Sequence, residues 1–377
     1  MRITAVKPLP VWGGFKNYLF VKIETDAGIW GVGEAGLSWR EMAVAEGVKH
    51  LESFLVGQDP LRIEHLWQRM FRGGFFPAGR VLCAAISAID IALWDIHGKA
   101  LGVPVYQLLG GRVRDRVVCY PHTGGKTPAE LGENARRLRE EGWKFIRFSV
   151  PSDGEILEPR WAMRETIRLC EGVKAAVGDD LEICLDLHTR LDPMDAIPLC
   201  RELEPFNPYF LEDPIRSENP ASFHQLRRHI HAPIAAGEQF ATKWEFRELV
   251  EEELINYARI DLCIVGGLTE ARKVANWCET HYINIAPHNP LGPVSTAACL
   301  HLCLATSNFG VQELPVRPNS TLTDVVPVQV DFERGYLLPA DRPGLGIDFD
   351  EAAALAAPPQ YGQPPELRRA DGSFTNW

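Results

Sequence analysis

Six ionisable residues recur along this chain at close to a constant interval, each at the end of a short apolar run. Asp186 follows LEICL, Glu212 follows YFL, Glu238 follows IAAG, Asp261 follows YARI, His288 follows INIAP and Glu313 follows GVQ. The successive intervals are 26, 26, 23, 27 and 25 residues. One strand, one helix and their two loops in a parallel β/α barrel take about that length, and the ends of barrel strands meet at one rim. The spacing therefore predicts a barrel with all six groups gathered at its C-terminal mouth. A single rim charge can be the N-cap of the helix that follows it, but six in register exceed that role.

The rest of the chain fits this reading. Strands are expected at residues 117–120, 145–148, 181–185, 209–211, 234–236, 257–260, 283–286 and 310–312, with helical stretches between most of them. Thr127-Pro128-Ala129-Glu130 reads as a capping box with proline at the first helical position, and Gly142 stops that helix. Met163, Ile167, Cys170, Val173 and Val177 mark the buried stripe of the next helix. The fold expected is α/β, a parallel β/α barrel of about eight units occupying residues 114–320. Residues 1–113 read as an α+β unit. Residues 321–377, rich in proline and poor in periodicity, read as a tail that packs back on it.

Within the first unit, residues 18–23 and 29–32 are expected to form a hairpin, and a long helix is expected over 80–99. Gly31, Gly33 and Gly36 spell G-x-G-x-x-G. A dinucleotide fingerprint needs a strand belonging to a parallel βαβ unit, whereas these glycines lie on the second strand of a tight hairpin, so no nicotinamide or flavin is expected.

Composition narrows the function. The 377 residues carry a net charge of −11 without a long run of Lys or Arg, which argues against nucleic acid. The segment MRITAVKPLPVWGG has no apolar core of a signal peptide, and no uninterrupted apolar run approaches the roughly 18 residues of a membrane span. A soluble, cytoplasmic protein with no membrane partner is expected. The nine cysteines are scattered without a C-x-x-C pair and read as buried, reduced thiols.

Asp186, Glu212 and Glu238 end three consecutive strands, so three carboxylates meet. Unpaired, they would raise one another's pKa, and a hard divalent cation resolves the conflict. An all-oxygen ligand set suits Mg²⁺, one per subunit, and no Cys or His recurs at zinc spacing. His188, two residues beyond Asp186, should share its side of an extended segment. Asp261 and His288, on neighbouring strands, fit a carboxylate that orients an imidazole. For most of the other nine histidines a surface or core place is the ordinary reading.

DLHTR (186–190), LEDP (211–214), GEQ (237–239), IAPHNPLGP (285–293) and VQE (311–313) together resemble the mandelate racemase branch of the enolase superfamily, in particular its acid-sugar dehydratases of the D-galactonate type. Residues 88–111 are similar to the segment that joins that family's capping domain to its barrel. The resemblance spans essentially the whole chain, and it implies that the barrel is of the modified (β/α)7β type with residues 1–113 as its capping domain. It implies Mg²⁺ held by Asp186, Glu212 and Glu238, a His288/Asp261 dyad as base, His188 as acid, and Glu313 on the substrate. Capping loops over 12–17 and 73–78 would set specificity, with Arg147, Arg190, Lys16 and Asn17 as substrate-binding candidates. The implied activity is Mg-dependent dehydration of a sugar acid to a 2-keto-3-deoxy acid, by a homo-oligomer.

One departure bears on the chemistry. Racemases of this branch commonly carry K-x-K at the end of the second barrel strand, where this chain has Arg147-Phe148-Ser149. Arginine stays protonated and is a poor base, so racemisation or epimerisation is the weaker alternative. Mannonate-type dehydratases share an arginine there but use a tyrosine in a longer following loop, and residues 150–156 contain none. A barrel that binds metal and sugar acid without turnover is the remaining alternative, opposed by the complete ligand set and both histidines.

Overall fold

The computed structural model describes all 377 residues, Met1–Trp377. The N-terminal sheet is a three-stranded antiparallel meander of β1 (Ile3–Trp12), β2 (Asn17–Thr25) and β3 (Trp30–Ala35). The expected hairpin is β2–β3, and β1 is a strand that the sequence reading left out. Pro8 and Pro10 obscured it, but β1 lies at the sheet edge, where a missing N–H costs no ladder bond. Helices α1 (Glu41–Leu55) and α3 (Arg80–Leu101) pack on this sheet, and α2 (Ile63–Arg72) packs on those two helices. Helix α1 starts at Glu41, just after Leu37 and Trp39, which take left-handed backbone angles.

Helix α3 is long and apolar enough to cross a membrane, yet 78% of its most apolar window is buried inside the protein. It lies against β3, and the glycines of the G-x-G-x-x-G motif explain how. A Cβ on Gly33 would stand 1.8 Å from the Ala88 carbonyl oxygen, and one on Gly31 would stand 2.1 Å from that of Ala92. The motif is a smooth seat for a helix.

The second unit is the barrel. Its strands are β4 (Val117–Tyr120), β5 (Phe145–Ser149), β6 (Glu182–Asp186), β7 (Phe210–Glu212), β8 (Ile234–Ala236), β9 (Tyr257–Ala258), β10 (Asn284–Ile285) and β11 (Gln312–Glu313). Strands β5 to β10 form one parallel sheet in chain order, and β11 pairs in parallel with β4. Bridges His122–Arg147 and Ile285–Phe309 link the two groups and close the cylinder. Seven helical connections separate eight strands, which is the (β/α)7β arrangement. Thr127 Oγ1 accepts from the Glu130 N–H at 3.2 Å, while Glu130 Oε2 accepts from Lys126 N rather than from the cap residue itself.

Residues 321–377 touch both units. Strands β12 (Asp331–Glu333) and β13 (Tyr336–Leu338) form a hairpin that pairs with the start of β4. Further on, Glu351 ion-pairs with Lys7 and Lys22 of the meander. The last residues return to the barrel, where the Trp377 ring stands 5.0 Å from that of His188, edge to face. All nine cysteines are buried and unbridged.

Candidate active site

The six rim groups do meet at the C-terminal mouth. Asp186 pairs in register with Glu212 across β6 and β7, and Glu238 follows the end of β8. Carboxylate atoms of Glu212, Asp213 and Glu238 all lie within 4.8 Å of one another. Asp213 is a member that the sequence reading missed. The LEDP segment carried the signal, since the residue after a strand-end ligand already sits on the rim.

Asp186 is held differently from its neighbours. It is ion-paired with Arg147, accepts from Ser149 Oγ at 3.1 Å and from the His188 backbone N–H at 2.6 Å, and lies 3.0 Å from His188 Nδ1. Burial works to raise its carboxyl, but the charges of Arg147 and His188 overcome this and hold it well below the usual range. His188 shares the ligand's side, though not through strand alternation. Strand β6 stops at Asp186, His188 has φ +53, and its imidazole folds back onto the preceding carboxylate.

Across the mouth, His288 Nδ1 lies 2.8 Å from Asp261 Oδ2 and its Nε2 lies 3.6 Å from Glu238 Oε2. Burial lowers the imidazole's pKa, but Glu238, Glu313 and Asp261 together carry it up to about 10. Arg259, fully buried, forms the centre of the site. Its Nη2 stands 2.6 Å from Glu212 Oε1 and 2.6 Å from Glu313 Oε2, and its Nη1 donates to the Ala286 carbonyl at 2.8 Å. Glu313 also accepts from the Asn289 backbone N–H at 2.8 Å and contacts His122 Nε2.

Arg259 and His122 were both missed. Arg259 lies two residues before Asp261, and the period of two could have placed it inward. His122 lies two residues past the end of β4, as His188 does past β6. A lone histidine without a neighbouring carboxylate in sequence gives no such warning.

The balance of charge shows what the site is built to hold. Arg147 and Arg259 are ion-paired within a set of six buried carboxylates, Asp186, Glu212, Asp213, Glu238, Asp261 and Glu313, and Arg190 adds its charge near Asp186. Burial, reinforced by neighbouring carboxylates, pushes Glu212 up to about 8 and Asp213 and Glu238 up to about 7. The Arg259 contact with Glu212 is off the direction of a hydrogen bond. Neither Glu212 oxygen has a hydrogen-bond partner, and nor does Asp213 Oδ2. Buried oxygens left in this way are costly, and a hard cation satisfies them.

Of the substrate-binding candidates, Arg147 reaches the site, and Arg190 lies beside it with Nη1 on the Val150 carbonyl. Lys16 is buried and donates to the Pro290 carbonyl at 2.7 Å, on the loop after His288. Asn17 lies outside this network, tied in both directions to Gln360 of the tail at 2.7 and 2.9 Å. A surface groove of about 870 Å³ is lined by Arg80, His224, Trp244 and Glu248 among others, and contains none of the six rim groups.

An eight-stranded barrel with an N-terminal cap and a carboxylate cluster between two histidines defines an enolase-type barrel protein. Residues 14–110 match the mandelate racemase / muconate lactonizing enzyme N-terminal domain and residues 130–353 the enolase C-terminal domain-like family, and the chain belongs to this family. It is 39% identical to a D-galactonate dehydratase of Ralstonia nicotianae over 100% of this chain and 99% of the relative. It is 36% identical to a D-mannonate dehydratase of Caulobacter vibrioides over 96% of each. Among solved structures, an enolase from Pantoea ananatis with bound D-gluconate and Mg superposes with a TM-score of 0.94 at 34% identity, covering 100% of this chain and 99% of that one.

Proposed function

We propose that the protein dehydrates a sugar acid, an aldonate such as D-galactonate, to a 2-keto-3-deoxy acid in an Mg²⁺-dependent reaction. The observation that carries this is the placement of His188 and His288 just beyond the ends of strands four positions apart in the sheet, with one carboxylate cluster between them. The named activities of the relatives support it, D-galactonate and D-mannonate dehydration in particular.

Asp186, Glu212 and Glu238 would hold the Mg²⁺, with Asp213 beside them. A bound divalent cation stabilises the negative charge that develops on the substrate carboxylate as the neighbouring proton leaves. His288, oriented by Asp261, accepts the C2 proton at Nε2. The charge of Glu238, first among those that raise this imidazole, is also one that a bound cation would neutralise. The electron pair of the broken C–H bond becomes the C1–C2 double bond of an enediolate. As that pair moves on to form C2–C3, the C3–O bond breaks and the hydroxyl leaves as water with a proton from His188. The resulting enol tautomerises to the ketone. Glu313 and Arg259, bonded to each other, would fix the polar end of the substrate, with Arg147, Arg190 and Lys16 around it.

Two further features belong to this reading. A reducing, cytoplasmic setting is supported by the nine unbridged thiols. A homo-oligomer is supported by large exposed side chains such as Phe75 and Phe76, and sedimentation of the purified protein checks it. The boundaries proposed for the three parts remain near residues 113 and 320.

The deciding experiment presents purified protein and Mg²⁺ with a panel of aldonic and aldaric acids that includes D-galactonate, D-mannonate and D-gluconate, read by 2-keto acid formation. Keto acid from one or more of them is the expected result. Inversion at C2 without keto acid would make the protein an epimerase. Metal binding with no chemistry on any acid would make it a non-catalytic barrel.

A further inference from the structure

The helices at Gly267–Thr280 and Pro293–Ala305 begin directly after the loops that carry Asp261 and His288, and neither has a side-chain cap of its own. A helix N-terminus leaves backbone N–H groups without intrahelical partners, and a nearby Ser, Thr, Asp or Asn ordinarily accepts from them. Gly266 and Gly292 occupy the two cap positions and have no side chain to offer. The acceptors come from the other unit.

Glu34, at the end of β3, places one carboxylate oxygen 2.6 Å from Gly292 N and the other 2.9 Å from Ser295 N. Asp90, on α3, accepts from Thr269 N at 3.0 Å and from Thr269 Oγ1 at 2.5 Å. Both acids are fully buried and separated from their partners by at least 179 residues of chain. The fit at Gly292 is close, since a Cβ there would stand 2.7 Å from Glu34 Oε1. Other bonds from the capping unit hold the same two loops. Ser87 Oγ accepts from Gly266 N at 2.8 Å, Gly36 N donates to Cys263 O at 2.8 Å, and Lys16 Nζ donates to Pro290 O at 2.7 Å.

We propose that Glu34 and Asp90 are positioning residues for the His288/Asp261 pair, capping the two helices that follow it and so fixing from the N-terminal unit the loops on which the pair stands. The capping unit then does more than roof the substrate. It sets the geometry of the proton-abstracting group, four residues from Gly292 along one loop. A 1 Å error at a reacting atom can cost on the order of 100-fold in rate, so loss of a cap registers in turnover before it registers in binding.

This inference rests on the reading of His288 as the base, and its test separates the two. In the full chain, Glu34→Ala removes both acceptors, and Glu34→Gln retains one and guards against a variant that fails to fold. Asp90→Asn probes the second cap. The readouts are hydrogen exchange of residues 286–296, the low-field Nδ1 proton resonance of His288 assigned by its absence in His288→Asn, and Mg²⁺ affinity by calorimetry.

Glu34→Ala should lose exchange protection over that loop and lose or shift the His288 resonance. Glu34→Gln should lie between it and the parent, and Mg²⁺ affinity should change less than about threefold in both. On an acid that the parent turns over, kcat should fall at least tenfold with KM nearly unchanged. A His288 resonance that stays in place in Glu34→Ala and Asp90→Asn overturns the proposal. If that resonance moves while His288→Asn still dehydrates substrate, the positioning stands and the assignment of the base falls.

Discussion

His188 and His288 approach one carboxylate cluster from across the barrel mouth, and their partners differ: Asp186 for the first and Asp261 for the second. Removing one leaves the surroundings of the other in place, so the two steps should separate. In D₂O, His188→Asn should still exchange the C2 proton of a substrate while keto acid formation falls about 100-fold or more. In His288→Asn, exchange and product should both vanish, as read by NMR of the recovered acid. Exchange by His288→Asn but not by His188→Asn would reverse the roles. A third histidine reports on folding. Burial lowers the pKa of His301 to about 4, and its Nδ1 accepts from Tyr106 N at 3.1 Å. Its folded pKa lies below its ordinary 6.5, so it contributes stability that is complete above that pH and lost as pH falls through about 4. The full contribution is on the order of 3 kcal/mol. Denaturant titrations at pH 7 and pH 4.5 should show a smaller acid penalty for His301→Gln than for the parent.

At the scale of elements, the contact between β3 and α3 is the most sensitive to a single atom. Gly33 is needed because the Ala88 carbonyl occupies the place of a Cβ. Gly33→Ala must push the helix off the sheet or bend the strand, and should cost more than about 3 kcal/mol or prevent folding. The same glycines match a dinucleotide fingerprint by spelling alone. NAD should therefore leave the melting temperature of the parent unchanged, and a shift of several degrees would restore the dinucleotide-binding reading. Thr127, by contrast, caps an exposed helix end, and Thr127→Ala should cost only about 1 kcal/mol by urea titration.

For the whole molecule, metal is the expected lever on both stability and activity. A ligand that binds only the folded state stabilises it by about 2.7 kcal/mol at a hundredfold excess over Kd. Mg²⁺ should therefore raise the melting temperature of EDTA-treated protein and restore its activity, and Glu212→Gln should weaken both effects. Full activity in metal-stripped protein would contradict the proposed carboxylate site.

The architecture and most of the rim are legible in the sequence, because a parallel barrel repeats its strand, helix and loops at a nearly constant length and a strand end always faces the same mouth. Asp186, Glu212, Glu238, Asp261, His288 and Glu313 could be placed from that rhythm alone. Strand β1 was not legible, since Pro8 and Pro10 are tolerated only because that strand turned out to be an edge. What tertiary structure alone decided were the partnerships between residues far apart in the chain. Arg259 between Glu212 and Glu313, His122 on Glu313, and Glu34 over the helix that follows His288 each join segments that no local period relates. Side-chain periodicity tells which way a residue points, whereas the closing of the barrel and the seating of the cap determine what it meets.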